Sequence, residues 1–313
     1  MGWRPPVGPE SVRSPPVTTR RLAVGQGREM SLDDVGDPAG VPLLYLHGTP
    51  DSRLARPGDD GVAARTGVRL LALDRPGYGG SDPVPGPGVD WTRPLVRDVA
   101  VVLDDLQVDR VVLLAWSGGT LAALAIAAGL PGRVSVLGIV AGVLPRQAYD
   151  DPAVRGAAAD RLRTLELADA LPPGQLGDAM APLLAPHPCD RALALEHQAE
   201  HRDPPSSREL ASVAGAADRM ADALVEAVRH GLTGVSADVE AQARSLDVDL
   251  ATVGCRTRLW YGAADTVTPP AFGEWYARQL PAATLDIVPG AAHYVLFTRW
   301  ADILGTLAAT HGA

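Results

Sequence analysis

Four stretches constrain this chain more than anything else in it: VPLLYLHG, VRLLALDRPG, RVVLLAWSGG and VSVLGIVAG. Each is a nearly continuous apolar run of strand length that ends in a glycine turn. A strand exposed on one face alternates apolar and polar residues. A run without alternation suits a strand buried on both faces, as in a parallel sheet with helices on each side. Helical patterns lie between the runs. Over residues 92–106, Leu95, Val99, Val102, Leu103 and Leu106 recur at helical spacing, with Thr92 as N-cap and Pro94 in the first turn. GGTLAALAIAAG is apolar all round, which predicts a buried helix stopped by Gly129 and Pro131. The expected fold class is α/β, a mostly parallel doubly wound sheet. RRLAVGQ and REMSLDDVG read as a hairpin at one sheet edge.

The βα rhythm breaks at about residue 144 and resumes at about 251 with RTRLWYGAAD, ATLDIVPG and a last helix from about Leu296. Between the two points the patterns are helical, at 153–167, 190–201, 207–230 and 238–246. The expected organisation is a core of 20–143 and 251–313, with 144–250 inserted as a helical cap over the carboxyl edge of the sheet. A chain of 313 residues, 46% of them hydrophobic, can bury such a core and carry the insert. Residues 1–19 are proline-rich, have no apolar signal segment and are expected to form a disordered arm. No apolar run is long enough to span a membrane.

Composition removes several function classes. Every basic side chain is arginine, and the sequence holds no lysine. Schiff-base enzymes, P-loop phosphate binders and lysine-anchored cofactors are therefore excluded. A net charge of −9 argues against a nucleic-acid partner. Cys189 and Cys255 lie far apart and form no metal-ligand pair, so a reducing cytoplasm is the default expectation. The expected partner is a small-molecule substrate, and the chain is expected to be a monomer or homodimer.

In a parallel α/β sheet, sites form beyond the carboxyl ends of the strands. The polar residues there are His47, Asp74, Ser117, Asp265 and His293. A nucleophile, an acid and a base thus follow one another in the order Ser, Asp, His. Taken alone, Ser117 reads equally well as a helix N-cap. Four motifs in order decide between the readings: HGTP, DRPGYGGSD, AWSGG, and the pair GAAD with GAAHY. From about Arg20 to the C-terminus the chain resembles the α/β-hydrolase superfamily of serine hydrolases with a helical cap. AWSGG departs from the family pattern G-x-S-x-G, because Ala115 replaces the first glycine.

The resemblance implies roles. Ser117 is the expected nucleophile on a sharp strand-to-helix turn, and His293 the base that takes its proton. Asp265 is expected to orient His293, since VLGIVAGVLP offers no carboxylate at the earlier strand end that some members use. Backbone N–H groups of Thr49 and Gly118 are the expected oxyanion donors; Pro50 has none. Trp116, Tyr294 and His47 are expected beside the substrate, with His47 and Gly48 also shaping the HGTP turn. No cofactor or metal is expected. Gly77-Tyr78-Gly79 lacks the third glycine of a dinucleotide fingerprint. His197-Gln198-Ala199-Glu200-His201 spells a reversed zinc-peptidase motif, but no third ligand is identifiable and it reads as a solvated helix face.

The expected chemistry is hydrolysis of an ester, thioester or lactone of a small to medium apolar substrate. Met180, Leu183 and Leu184 are the aliphatic residues expected to line its pocket. Three other readings stay open: a non-hydrolytic acyltransferase, lyase or cyclase on the same fold, a proline-releasing aminopeptidase, and a ligand-binding receptor with a vestigial site.

Overall fold

The computed structural model describes residues 17–84, 91–244 and 246–312. Residues 1–16 of the expected arm lie outside the described residues, and Thr18 and Thr19 belong to the first strand instead. The strands are β1 Thr18–Gly25, β2 Arg28–Gly36, β3 Val41–Leu46, β4 Val68–Leu73, β5 Val111–Trp116, β6 Val134–Val140, β7 Arg256–Gly262 and β8 Ala283–Val288. They form one sheet in the order β1-β2-β4-β3-β5-β6-β7-β8. β1 and β2 are the antiparallel edge hairpin, and β2 also pairs antiparallel with β4; every pair from β4 to β8 is parallel. This is the α/β fold that the unalternating apolar runs demand. All six residues of β5 are buried, and so is the core of each neighbour.

The helices are α1 Gly61–Arg65, α2 Thr92–Asp105, α3 Gly119–Gly129, α4 Pro152–Ala157, α5 Ala159–Ala170, α6 Gln175–Leu184, α7 Arg191–His201, α8 Pro204–Ala211, α9 Ala216–Ala227, α10 Thr233–Ala243, α11 Pro270–Gln279, α12 Val295–Thr298 and α13 Trp300–His311. α2, α3 and α11 cover one face of the sheet, around Leu95, Leu121 and Phe272, and α1 and α13 cover the other, around Ala63 and Leu304. Seven helices, α4 to α10, lie between β6 and β7, and no strand occurs there among the described residues.

Two expected helices are each broken in two. The 153–167 pattern divides at Ala158, whose backbone leaves the helical region. The 207–230 pattern divides before Gly215, which takes φ +71°. α6 is an addition. Its Gly177 and Pro182 both read against a helix, yet Gly177 is required: a Cβ there would lie 2.3 Å from the Ser236 carbonyl oxygen of α10.

The sheet order sets the position of a site. From β3 the chain moves one way to β4, and it returns past β3 to β5. Connections on opposite sides leave a crevice above the carboxyl ends of β3 and β5. Leu46 and Ala115 are register partners there, so HGTP and AWSGG leave the sheet side by side.

Candidate active site

Ser117 follows β5 directly and has φ +50°, in the left-handed region that side chains other than glycine rarely adopt. Its backbone is held on both sides: its N–H donates to the Val140 carbonyl at 3.0 Å, and its carbonyl accepts from Thr120 Oγ1 at 2.8 Å. The turn brings helix and strand so close that a Cβ on Gly119 would lie 2.4 Å from the Leu46 carbonyl oxygen. Ala115, two residues before the serine, is fully buried in β5. The sharp turn therefore tolerates a methyl on the strand side and none on the helix side.

His293 lies in the loop after β8 and Asp265 in the loop after β7. His293 Nε2 is 3.0 Å from Ser117 Oγ, and His293 Nδ1 is 2.9 Å from Asp265 Oδ2. Asp265 Oδ1 accepts the Val267 and Thr268 N–H groups at 2.8 and 2.9 Å, and Oδ2 accepts Thr268 Oγ1 at 2.7 Å. Burial opposes ionisation of Asp265, but His293 and these donors outweigh it and hold the carboxyl below its usual range. An ionised Asp265 requires the Nδ1–H tautomer of His293, leaving Nε2 free to accept from the serine.

The HGTP turn lies against the start of α3. A Cβ on Gly118 would fall 3.2 Å from Thr49 N. Neither the Thr49 nor the Gly118 N–H has a protein partner among the described residues. Gly118 precedes the first residue of α3, where N–H groups point outward with the positive end of the helix dipole.

His47 corrects an expectation. It is fully buried and does not line the cavity above Ser117. Its Nε2 accepts the Arg75 N–H at 3.0 Å, so Nδ1 donates to the Gly48 carbonyl at 2.8 Å. Desolvation, then the Arg75 charge, push its pKa well below the usual value, so it is a neutral brace for the turn. Trp116 and Tyr294 do line the cavity, and Trp116 Nε1 donates to the His293 carbonyl at 3.1 Å.

The cavity has a volume of about 430 Å³. Thr49, Ser117, Gly118 and His293 form its floor, and residues of α5 to α10 form its walls. Met180 and Leu184 contribute as expected, but Leu183 points away and is 67% exposed. The walls are less apolar than expected, because Arg161, Gln198, Arg202, Asp203 and Gln242 also line them. His197 and His201 reach the cavity too; His197 Nε2 is 3.0 Å from the Leu184 carbonyl oxygen, and His201 Nδ1 is 2.8 Å from that of His197. No group of three or more His, Cys, Asp or Glu placed to hold a metal occurs among the described residues.

Three acids that the sequence did not single out bear on the site. Asp51 is 5% exposed, and its carboxyl makes no hydrogen bond to any described residue. A Cβ on Gly48 would touch Asp51 Oδ2, Ser117 Cβ and Trp116 Cε3 at 3.1, 3.3 and 3.3 Å, so the Asp51 carboxyl sits beside the serine. Burial pushes its pKa up to about 8 against the opposing charges of Arg75 and Arg202. Glu209, on α8, is buried and accepts the Ala292 and Tyr294 N–H groups at 2.9 and 2.8 Å, clasping the loop that carries His293. Asp238, on α10, accepts both Arg75 guanidinium nitrogens at 2.6 Å, Tyr78 Oη at 2.6 Å and the Thr49 hydroxyl.

A family profile described as "Alpha/beta hydrolase family" matches residues 43–305. The chain belongs to the alpha/beta hydrolase family. The match spans the serine, acid and histidine loops and all the helices between them. Over 286 residues this family member is 28% identical to a pimeloyl-[acyl-carrier protein] methyl ester esterase of Chromobacterium violaceum, covering 88% of this chain and 96% of that one. It is 30% identical to a proline iminopeptidase of Neisseria gonorrhoeae over 116 residues, which is 37% of either chain. An alpha/beta hydrolase fold protein of Nakamurella multipartita superposes with a TM-score of 0.61 at 25% identity, over 95% of this chain and 100% of that one.

Proposed function

We propose that this alpha/beta hydrolase is a serine hydrolase that cleaves an ester, thioester or lactone of small to medium size through an acyl-enzyme. The observation that carries the reading is the unbroken line of hydrogen bonds from Ser117 Oγ through His293 to Asp265, at a serine held at φ +50°. A serine hydroxyl is a poor nucleophile at neutral pH and needs an adjacent base. His293 Nε2 takes its proton as Oγ attacks the carbonyl carbon, and Asp265 stabilises the imidazolium. The Thr49 and Gly118 N–H groups receive the oxyanion; donors fixed in advance need no reorganisation. His293 then protonates the leaving group, and water activated by the same nitrogen releases the acyl group. Helices α4 to α10 act as a lid that restricts access to the serine.

The similarity to a methyl ester esterase supports ester cleavage. Aminopeptidase activity would need an ionised acid for the substrate amine. Asp51 is the unbonded acid of the cavity, but with its pKa near 8 it is mostly neutral at pH 7. Ser117→Ala is expected to abolish both fluorophosphonate labelling and ester turnover, a loss of at least about 10³-fold. Labelling retained in that variant would refute the assignment.

A further inference from the structure

Arg161 and Arg202 both reach the cavity above Ser117, and neither forms an ion pair among the described residues. That sets them apart from the arginines of the core. Arg53, Arg56 and Arg75 are each matched by carboxylates. The cavity arginines meet neutral partners only. Arg202 Nε donates to Tyr294 Oη at 3.2 Å, one terminal nitrogen donates to Gln198 Oε1 at 3.1 Å, and the guanidinium lies 5.2 Å from the centre of the Tyr294 ring. Arg161 lies near the Tyr149 hydroxyl, and its Nη1 is 3.5 Å from Gln242 Oε1.

A cavity guanidinium that meets no carboxylate has its charge available to a bound anion. These two are held in place by neutral groups and each keeps donors to spare. We infer that they form an anion subsite, and that the substrate of the proposed hydrolase carries a carboxylate on its acyl part. This inference rests on the serine-hydrolase reading for the word substrate, but not for the site itself.

The other charges facing the cavity fit one negative charge. Asp203 lines the same wall, and its Oδ1 is occupied by the Ser206 N–H at 3.0 Å as the N-cap of α8. Asp51 is pushed up to about 8 by burial and so offers no full counter-charge at neutral pH. Two arginines against Asp203 leave a surplus of one positive charge. A monocarboxylate matches that surplus, and a phosphate dianion exceeds it. The planar fork of arginine also accepts a carboxylate through two parallel bonds.

The test compares two esters of equal acyl length, p-nitrophenyl glutarate hemiester and p-nitrophenyl valerate. The native protein is expected to favour the anionic ester by roughly 10-fold or more in kcat/KM, mostly through KM. Arg202→Gln and Arg161→Gln are each expected to bring that ratio down at least several-fold, and Arg202→Lys to fall between. A ratio near one in the native protein, or a ratio unchanged in both Gln variants, would overturn the inference. Binding gives an arm independent of turnover. Monomethyl glutarate, a single anion of the same length, is expected to raise the melting temperature of the Ser117→Ala protein and not that of Ser117→Ala/Arg202→Gln. Inorganic phosphate that stabilises as well as monomethyl glutarate would overturn the carboxylate assignment. If the native protein neither labels with fluorophosphonate nor turns over either ester, the hydrolase reading fails, while monomethyl glutarate binding still decides the subsite.

Discussion

Ser117 shows how a single residue can depart from a pattern and keep its geometry. What the turn needs is a tolerated left-handed backbone at the serine and no side chain where the helix meets β3. Gly119 meets the second need, because the atoms in its way are backbone oxygens that cannot swing aside. Gly119→Ala is therefore expected to cost about 1–3 kcal/mol or more and to lower activity, measured by denaturant unfolding and ester turnover. Asp51 supports a second prediction at this scale. Its carboxyl has a pKa near 8 in the folded chain and about 4 in the unfolded one. Between those values the unfolded chain gives up a proton that the folded chain keeps. Its contribution to stability is thus full below pH 4 and is lost as pH rises through 8. Asp51→Asn cannot ionise, so its melting temperature should gain on the native protein steadily from pH 4 to pH 8, an effect on the order of a few kcal/mol. Asp74, pushed up to about 6 by burial despite its bonds to Arg53, acts in the same direction in both proteins and cancels in the comparison. A difference in melting temperature that does not vary with pH would refute the assignment of a neutral Asp51.

At the scale of elements, legibility followed the range of the interaction. The central strands could be read because burial on both faces leaves a local signature, and Ser117, Asp265 and His293 because each lies in the turn or loop beyond a strand. Helix breaks at Ala158 and before Gly215 were not legible, since the apolar spacing runs on across both. α6 was hidden by Gly177, which reads as a breaker but serves close packing against α10. Glu209 carried no signal at all: its partners Ala292 and Tyr294 are more than 80 positions away. Yet α8 delivers to the His293 loop two hydrogen bonds that fix the backbone on either side of the imidazole. Glu209→Ala is expected to leave those N–H groups unpaired, cost about 1–3 kcal/mol, and lower kcat more than it raises KM. Glu209→Gln keeps an acceptor oxygen and should recover part of the kcat. A mutant that loses stability with kcat intact would show that α8 only braces the fold.

For the whole molecule, the question is how a helical segment inserted between β6 and β7 is held in register with a rigid sheet. Asp238 answers it with one carboxylate. It reaches from α10 to Arg75 and Tyr78 in the loop after β4, and to the Thr49 hydroxyl in the HGTP turn. Arg75 in turn donates to the His47 and Gly48 carbonyls at 3.0 and 2.8 Å. Insert, second loop and HGTP turn therefore share one buried charge network. Removing one member of such a network leaves the other charge buried and unmatched, which typically costs about 3–5 kcal/mol, more than an exposed pair would. Asp238→Ala should lower the melting temperature by several degrees, and it should also slow turnover, because Thr49 loses a bond that fixes its turn. Asp169, which pairs with Arg146 at 2.5 Å but is largely exposed, supplies the control: Asp169→Ala should change either quantity little. If Asp238→Ala lost stability while kcat on a small ester stayed at the native level, the network would hold the insert without setting the HGTP turn. Loss of both together is what a shared network requires, because the carboxylate that anchors α10 is the same one that fixes Thr49.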